Sequence, residues 1–139
     1  MKDIRPALRN FLSNDSAIAA IVGSGSAARI YTVKIPQGVK AACIVYSRIS
    51  GSGIYHMAGP SGLAMSRFQI DAWGLTGDAA TALANLIKDR ISGYRGVMGT
   101  GPAAVTVQGV FMLNELEDYD DAVSMSRMSR DYAIDHEEA

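Results

Sequence analysis

The apolar positions of the chain first recur at helical spacing, with Ile4, Leu8, Phe11 and Leu12 on one face and Pro6 in the first turn, where a missing N–H does no harm. Asn14, Asp15 and Ser16 break this helix with capping chemistry, and Ala17, Ile18, Ile21 and Val22 form a shorter helical piece that ends at Gly23. The short β-branched segment 29–33 reads as a strand, and Pro36-Gln37-Gly38 as a loop. The segment 42–49 is apolar on both faces until Ser47 and Arg48, as a central strand would be. In 66–74 the period is two, with Phe68, Ile70 and Ala72 inward and Arg67, Gln69 and Asp71 outward.

Between those strands, 50–65 carries Gly51, Gly53, Gly59, Pro60 and Gly62, a composition expected to give a long mobile loop rather than a tight hairpin. Thr76 can cap the next helix, whose core face is Ala79, Ala80, Leu83, Leu86, Ile87 and Ile91; Asp78 lies in its first turn, Lys88 and Arg90 in its last, and Gly93 stops it. A Gly/Pro-rich link, 96–102, leads to a strand over 105–116 in which Val105, Val107, Phe111 and Leu113 share a face. Glu115, Glu117, Asp118, Asp120 and Asp121 are then expected to form an acidic turn. A last strand over 126–136 turns Met128, Tyr132 and Ile134 inward and precedes a short charged C-terminal tail. The expected fold is a single α+β domain over 1–139. It has a mainly antiparallel or mixed sheet of about five strands and two main helices on one face, in the order α-β-β-β-α-β-β.

Composition narrows the chemistry. The net charge is -1 and basic residues are scattered, which leaves no electrostatic footprint for tight nucleic-acid binding. No apolar run is long enough to span a bilayer and no basic-then-apolar leader opens the chain, so a soluble, unexported protein without a membrane partner is expected. Cys43 is the only cysteine and sits in the apolar run 41–45, the setting of a small buried hydrophobe.

Catalytic and cofactor motifs fail on context. Residues 23–28 and 99–104 both fit G-x-G-x-x-A, yet each precedes a strand, whereas a dinucleotide fingerprint follows a strand and opens a helix. His56 and His136 lack the companion spacing of a zinc site, and Ser61, His56 and Asp71 form a triad only on paper. The acidic run lacks the glycine and the alternating oxygens of a calcium loop. The expectation is no catalytic residue, no metal and no cofactor.

One resemblance runs along nearly the whole chain. A first helix ending Ile21-Val22-Gly23 is followed by Arg29-Ile30-Tyr31, Pro36-Gln37-Gly38, Ile44-Val45-Tyr46 with Ile49-Ser50-Gly51, and Phe68-Gln69-Ile70-Asp71-Ala72-Trp73. An Ala-rich helix and Ser129-Arg130-Asp131-Tyr132-Ala133-Ile134 complete the series. In order and spacing these fragments resemble the tail-completion, or tail-terminator, proteins of long-tailed bacteriophages. The resemblance implies a structural virion protein of the neck, assembled in the host cytoplasm, that caps the tail tube and joins it to the head connector as a ring of identical subunits, commonly six. Its partners would be itself, the tail tube protein and the connector, with DNA only passing through. Another neck component, such as a head-completion protein, or a small ligand-binding module are the alternatives. The residues expected to meet a neighbour are Gly53, Ile54, Tyr55, His56, Met57, Gly59 and Pro60 in the glycine-rich stretch. The acidic residues 115–121 are expected at a docking rim or on the lumen wall, since so many carboxylates cannot be buried without cations, and Arg127 and Arg130 are the nearest.

Overall fold

A computed structural model describes residues 3–137; the last two residues of the charged C-terminal tail lie outside the described residues. Helix α1 (Arg5–Ser13) carries Pro6 in its first turn, and α2 (Ser16–Val22) is capped by Asp15, whose Oδ1 accepts from the Ala17 N–H at 3.1 Å. Strand β1 (Ile30–Thr32) follows a single 3-10 turn, then come β2 (Cys43–His56), β3 (Gly59–Gly74) and α3 (Gly77–Ile91). Thr76 caps α3 as the sequence indicates, its hydroxyl accepting from Ala79 N at 3.1 Å. Strands β4 (Gly96–Met98), β5 (Val105–Asp120) and β6 (Met125–Glu137) complete one mixed sheet, in the order β1-β2-β3-β6-β5-β4. Among the described residues only the β1–β2 pair is parallel.

The sheet buries one face against the helices. Phe68, Ile70 and Ala72 of β3 and Met128, Tyr132 and Ile134 of β6 pack with Leu83, Ile87 and Ile91 of α3 and with Leu8, Leu12 and Ile18 of the first two helices. Gly74 lets α3 begin this close to the sheet, because a Cβ there would lie 2.6 Å from the Ala80 nitrogen. On the opposite face a second, smaller cluster of Cys43, Val45, Trp73 and Met125 is covered by Tyr31, Ile35, Val39 and Val123. Cys43 is buried, and that burial pushes its thiol up to about 11.

The α+β class holds, with details that differ from the sequence reading. The described residues form six strands and three α-helices, the sixth strand being β4, whose three residues pair with Val105, Thr106 and Val107 inside the link read as irregular. The glycine-rich stretch is not a loop: β2 and β3 run as a hairpin out to the pair His56↔Gly59, leaving Met57-Ala58 as the turn. Gly59, at φ 125°, takes a backbone shape that a side chain resists. The Ser61 hydroxyl donates to the Ile54 carbonyl at 2.6 Å where the register slips.

Four of the five acidic residues, Glu115, Glu117, Asp118 and Asp120, are likewise strand rather than turn, and Asp121 alone lies in the turn. Residues 115–120 belong to β5, and the turn comes at 121–124, where Asp120 Oδ1 accepts from Ala122 N at 2.8 Å. Two register shifts, between Val107 and Gly109 and between Met112 and Asn114, change which side of β5 faces the core. Val105, Val107 and Val110 are therefore buried, while Phe111 and Leu113, expected on the same face as Val105, are exposed.

Candidate functional site

The two stretches singled out from the sequence come to lie at opposite edges of the sheet rather than together. β1 covers β2 only at Ile44, Val45 and Tyr46, so among the described residues the outer edge of β2 has no backbone partner over 47–56. β4 covers β5 only over Val105, Thr106 and Val107, and the Gly93 N–H donates to the Val110 carbonyl at 2.9 Å. Beyond that point β5 is an open edge over 111–120. Each open stretch is ten residues long, roughly 33 Å of extended chain whose outward N–H and C=O groups face solvent.

The β2 edge belongs to an arm that carries no carboxylate from Ser47 to its tip. Gly53, Ile54, Tyr55 and His56 lie on its outer strand, Met57 in the turn, and Gly59 and Pro60 on the returning strand. Ile49, Ile54, Tyr55 and Met57 are exposed, Met57 completely. His56 Nδ1 accepts from the Ala58 N–H at 3.2 Å, which makes this histidine a turn residue. The other histidine, His136, is fully buried. Its Nδ1 lies 2.6 Å from the Glu137 carbonyl, which can only accept, so Nδ1 holds the proton and Nε2 accepts from the Ser66 hydroxyl at 2.9 Å.

The β5 edge is acidic, but part of its charge is met within the fold. Arg130, buried on the helix face, donates through Nε to Glu115 at 3.0 Å and through Nη2 to Asn85 of α3 at 3.0 Å. Arg127 donates through Nε to Asp118 at 2.8 Å and lies 3.5 Å from Asp71. The two arginines that the sequence nominated as nearest cations thus take Glu115 and Asp118. Glu117 stands over the first turn of α3, with Oε1 3.4 Å from where a Gly77 Cβ would be, a favourable place for negative charge. Asp120 and Asp121 make no ion pair among the described residues and are exposed, together with Phe111, Leu113, Leu116 and Tyr119.

The sequence reading missed the role of Asp71, which ties Arg127 beneath Trp73; its outward place in the alternation of β3 was the available signal. The grooves offer little else. One, of about 420 Å³, runs between Arg9, β1 and Tyr46; another, of about 270 Å³, is lined by Asp71, Trp73, Asp120 and Arg127, of which Asp71 and Arg127 already pair. Among the described residues, no three His, Cys, Asp or Glu side chains converge as metal ligands, and no helix is long and apolar enough to cross a membrane.

Buried charges that pair off, a thiol held neutral by burial and two open sheet edges describe a protein that presents surfaces. The model of the family described as "Tail completion protein gp17" matches residues 6–133, and the chain belongs to that family. It is a structural protein of the phage tail or neck. Among solved structures it is similar to a chain of the "Virion of native gene transfer agent (GTA) particle", with a TM-score of 0.66 and 20% identity over 94% of this chain and 91% of that one. At this identity the likeness concerns the fold. No curated protein sequence matches the chain.

Proposed function

We propose that the chain completes the tail without catalysis, as a closed ring of six identical copies that caps the tail tube and joins it to the head connector in the virion neck. The family match over nearly the whole chain carries this reading. Two open edges on opposite sides of one sheet support it, because contact between unlike surfaces of identical copies is the kind that builds a ring when its rotation closes. The hairpin tip, from Gly53 through Pro60, would seat against a neighbouring copy or the tail tube. The acidic residues 115–121 would face either a basic partner rim or the passing DNA, which negative charge keeps from sticking.

Removing the gene and supplying it in trans tests the proposal. Without the protein, electron microscopy should show DNA-filled heads and unjoined tails, with joining restored by the plasmid copy. Joined, infectious particles in its absence would contradict the proposal. Well-terminated tails beside heads that leak DNA would move the protein to the head-completion side of the neck.

A further inference from the structure

The open edges have matched lengths, different charge character and compatible direction, and we infer that the 111–120 edge of β5 pairs, antiparallel, with the 47–56 edge of β2 in a second copy of this chain. The inference deepens the ring reading above and rests on it. Unsatisfied backbone groups along a strand edge are completed best by another strand, and a long open edge persists only when something covers it or charge protects it.

Charge selects the occupant. Two β5 edges brought together would double an acidic row in which Glu117, Asp120 and Asp121 have no ion-pair partner among the described residues. The β2 arm has no carboxylate, and its two arginines are met within the fold, Arg48 lying 3.6 Å from Asp3 and Arg67, on the strand behind, donating to Asp131 at 2.9 Å. Pairing β5 with β2 therefore sets an acidic edge against one without net charge, whereas pairing β5 with itself sets like against like.

Direction agrees. β2, β3, β6 and β5 alternate in sense, so β5 runs opposite to β2 within one copy. A neighbour related by rotation about an axis inclined to the strands by well under a right angle then presents its β2 antiparallel to β5. Position agrees too. The middle of the open β2 stretch lies level with Gly109 and Val110, while the middle of the open β5 stretch, at Glu115 and Leu116, is about five residues further along the sheet. Five residues are about 17 Å along strands at 3.3 Å each, against about 19 Å across four strands, a tilt of roughly 40°. Strands of a closed sheet tilt by about 35 to 45° for the same geometric reason.

The test is cross-linking with a short bismaleimide in a Cys43→Ala background. Leu116, opposite Ser129, and Ser50 and Ser52, opposite Arg67 and Met65, lie on the sheet face away from the helices. Leu116→Cys in one copy, mixed with Ser50→Cys or Ser52→Cys in another, should give a linked dimer in assembled rings or tails, and none of these variants should link to itself. A chain carrying Leu116→Cys and Ser52→Cys together should give a ladder that ends at the ring size. Melting curves matching the parent establish that each variant folds. Rings that form by mass but link only Leu116→Cys to Leu116→Cys, or link nothing, overturn the edge assignment while the ring survives; a protein that stays monomeric and unlinked even in assembled particles overturns both.

Discussion

The two open edges are equal in length and differ in chemistry. The β2–β3 arm is rich in glycine and serine and contains no carboxylate, whereas the outer strand of the β5–β6 arm is acidic and anchored to the fold by Arg127 and Arg130. Both leave the same sheet, and the apolar packing that supports them is shared: Phe68 of β3 is fully buried beside Tyr132 of β6. The difference teaches that an edge can be kept open in two ways. On the proposed reading, charge keeps β5 from pairing with itself, and the glycine-rich sequence of β2 leaves its edge free of bulky side chains for a partner strand.

Breaking the shared root should have the largest effect. Phe68→Ala removes a ring packed against Tyr46 and covered by the Arg48 guanidinium, and should cost about 3–5 kcal/mol in denaturant unfolding, loosening both arms together. A cost below about 1 kcal/mol would mean the arms are rooted independently. Next in size, Glu115→Ala leaves the buried guanidinium of Arg130 with Asn85 as its remaining side-chain partner and should cost about 1–3 kcal/mol. Arg130→Met, which takes charge and partner demand away together, should cost less than Glu115→Ala, and the same unfolding measurement compares them.

Acid should separate the arms. Burial holds the His136 imidazole below its ordinary value near 6.5, so the folded state binds fewer protons than the unfolded one once the pH falls past that value. Stability contributed by neutral His136 is present above about 6.5 and is lost as the pH falls toward the lowered folded value, by at most about 1.4 kcal/mol per unit. The loss should appear first where Ser66 and Ala64 meet β6, at the root of the β2–β3 arm, in amide exchange at pH 5.5 against pH 7.5. His136→Gln should flatten that dependence.

Much of this architecture was legible where side chains alternate or cap. The period of two in β3, the Thr76 cap and the inward Met128, Tyr132 and Ile134 are all read directly from residue types. The arms were not, for a physical reason: Gly51, Gly53, Gly59 and Gly62 remove the side chains through which a strand advertises its two faces, so a hairpin and a loop have the same local signature. In β5 each register shift inserts an extra residue and reverses the alternation, which put Phe111 and Leu113 on the wrong face. The acidic run was read as a turn because carboxylates are poor strand formers, yet Arg127 and Arg130 on the paired strand supply cross-strand partners that sequence spacing alone does not display. The separation of the two candidate stretches to opposite edges was not legible, because strand order places β6 between β3 and β5.

The smallest effects on stability should fall on the exposed parts of the arms. Ile54→Ala and Tyr55→Ala should change stability by less than about 0.5 kcal/mol while lowering the yield of joined particles. Replacing 54–63 with Asn-Gly, which closes the hairpin on the pair Gly53↔Ala64, should likewise fold and fail to join tails. Changing Asp118, Asp120 and Asp121 to Asn separates the roles of the acidic edge. Joining that weakens further with salt marks a docking edge, normal particles with impaired DNA delivery mark a lumen wall, and unchanged infectivity leaves a solvated strand end.

The central claim is that this chain works through its open sheet edges, and backbone hydrogen exchange compared between the free subunit and assembled tails tests it most directly. In the free subunit the outward amides of 47–56 and 111–120 should exchange quickly, and in assembled tails both stretches should become protected while α3 and the covered parts of β3 and β6 stay as they were. Exchange that remains fast along both edges in assembled tails would contradict the account.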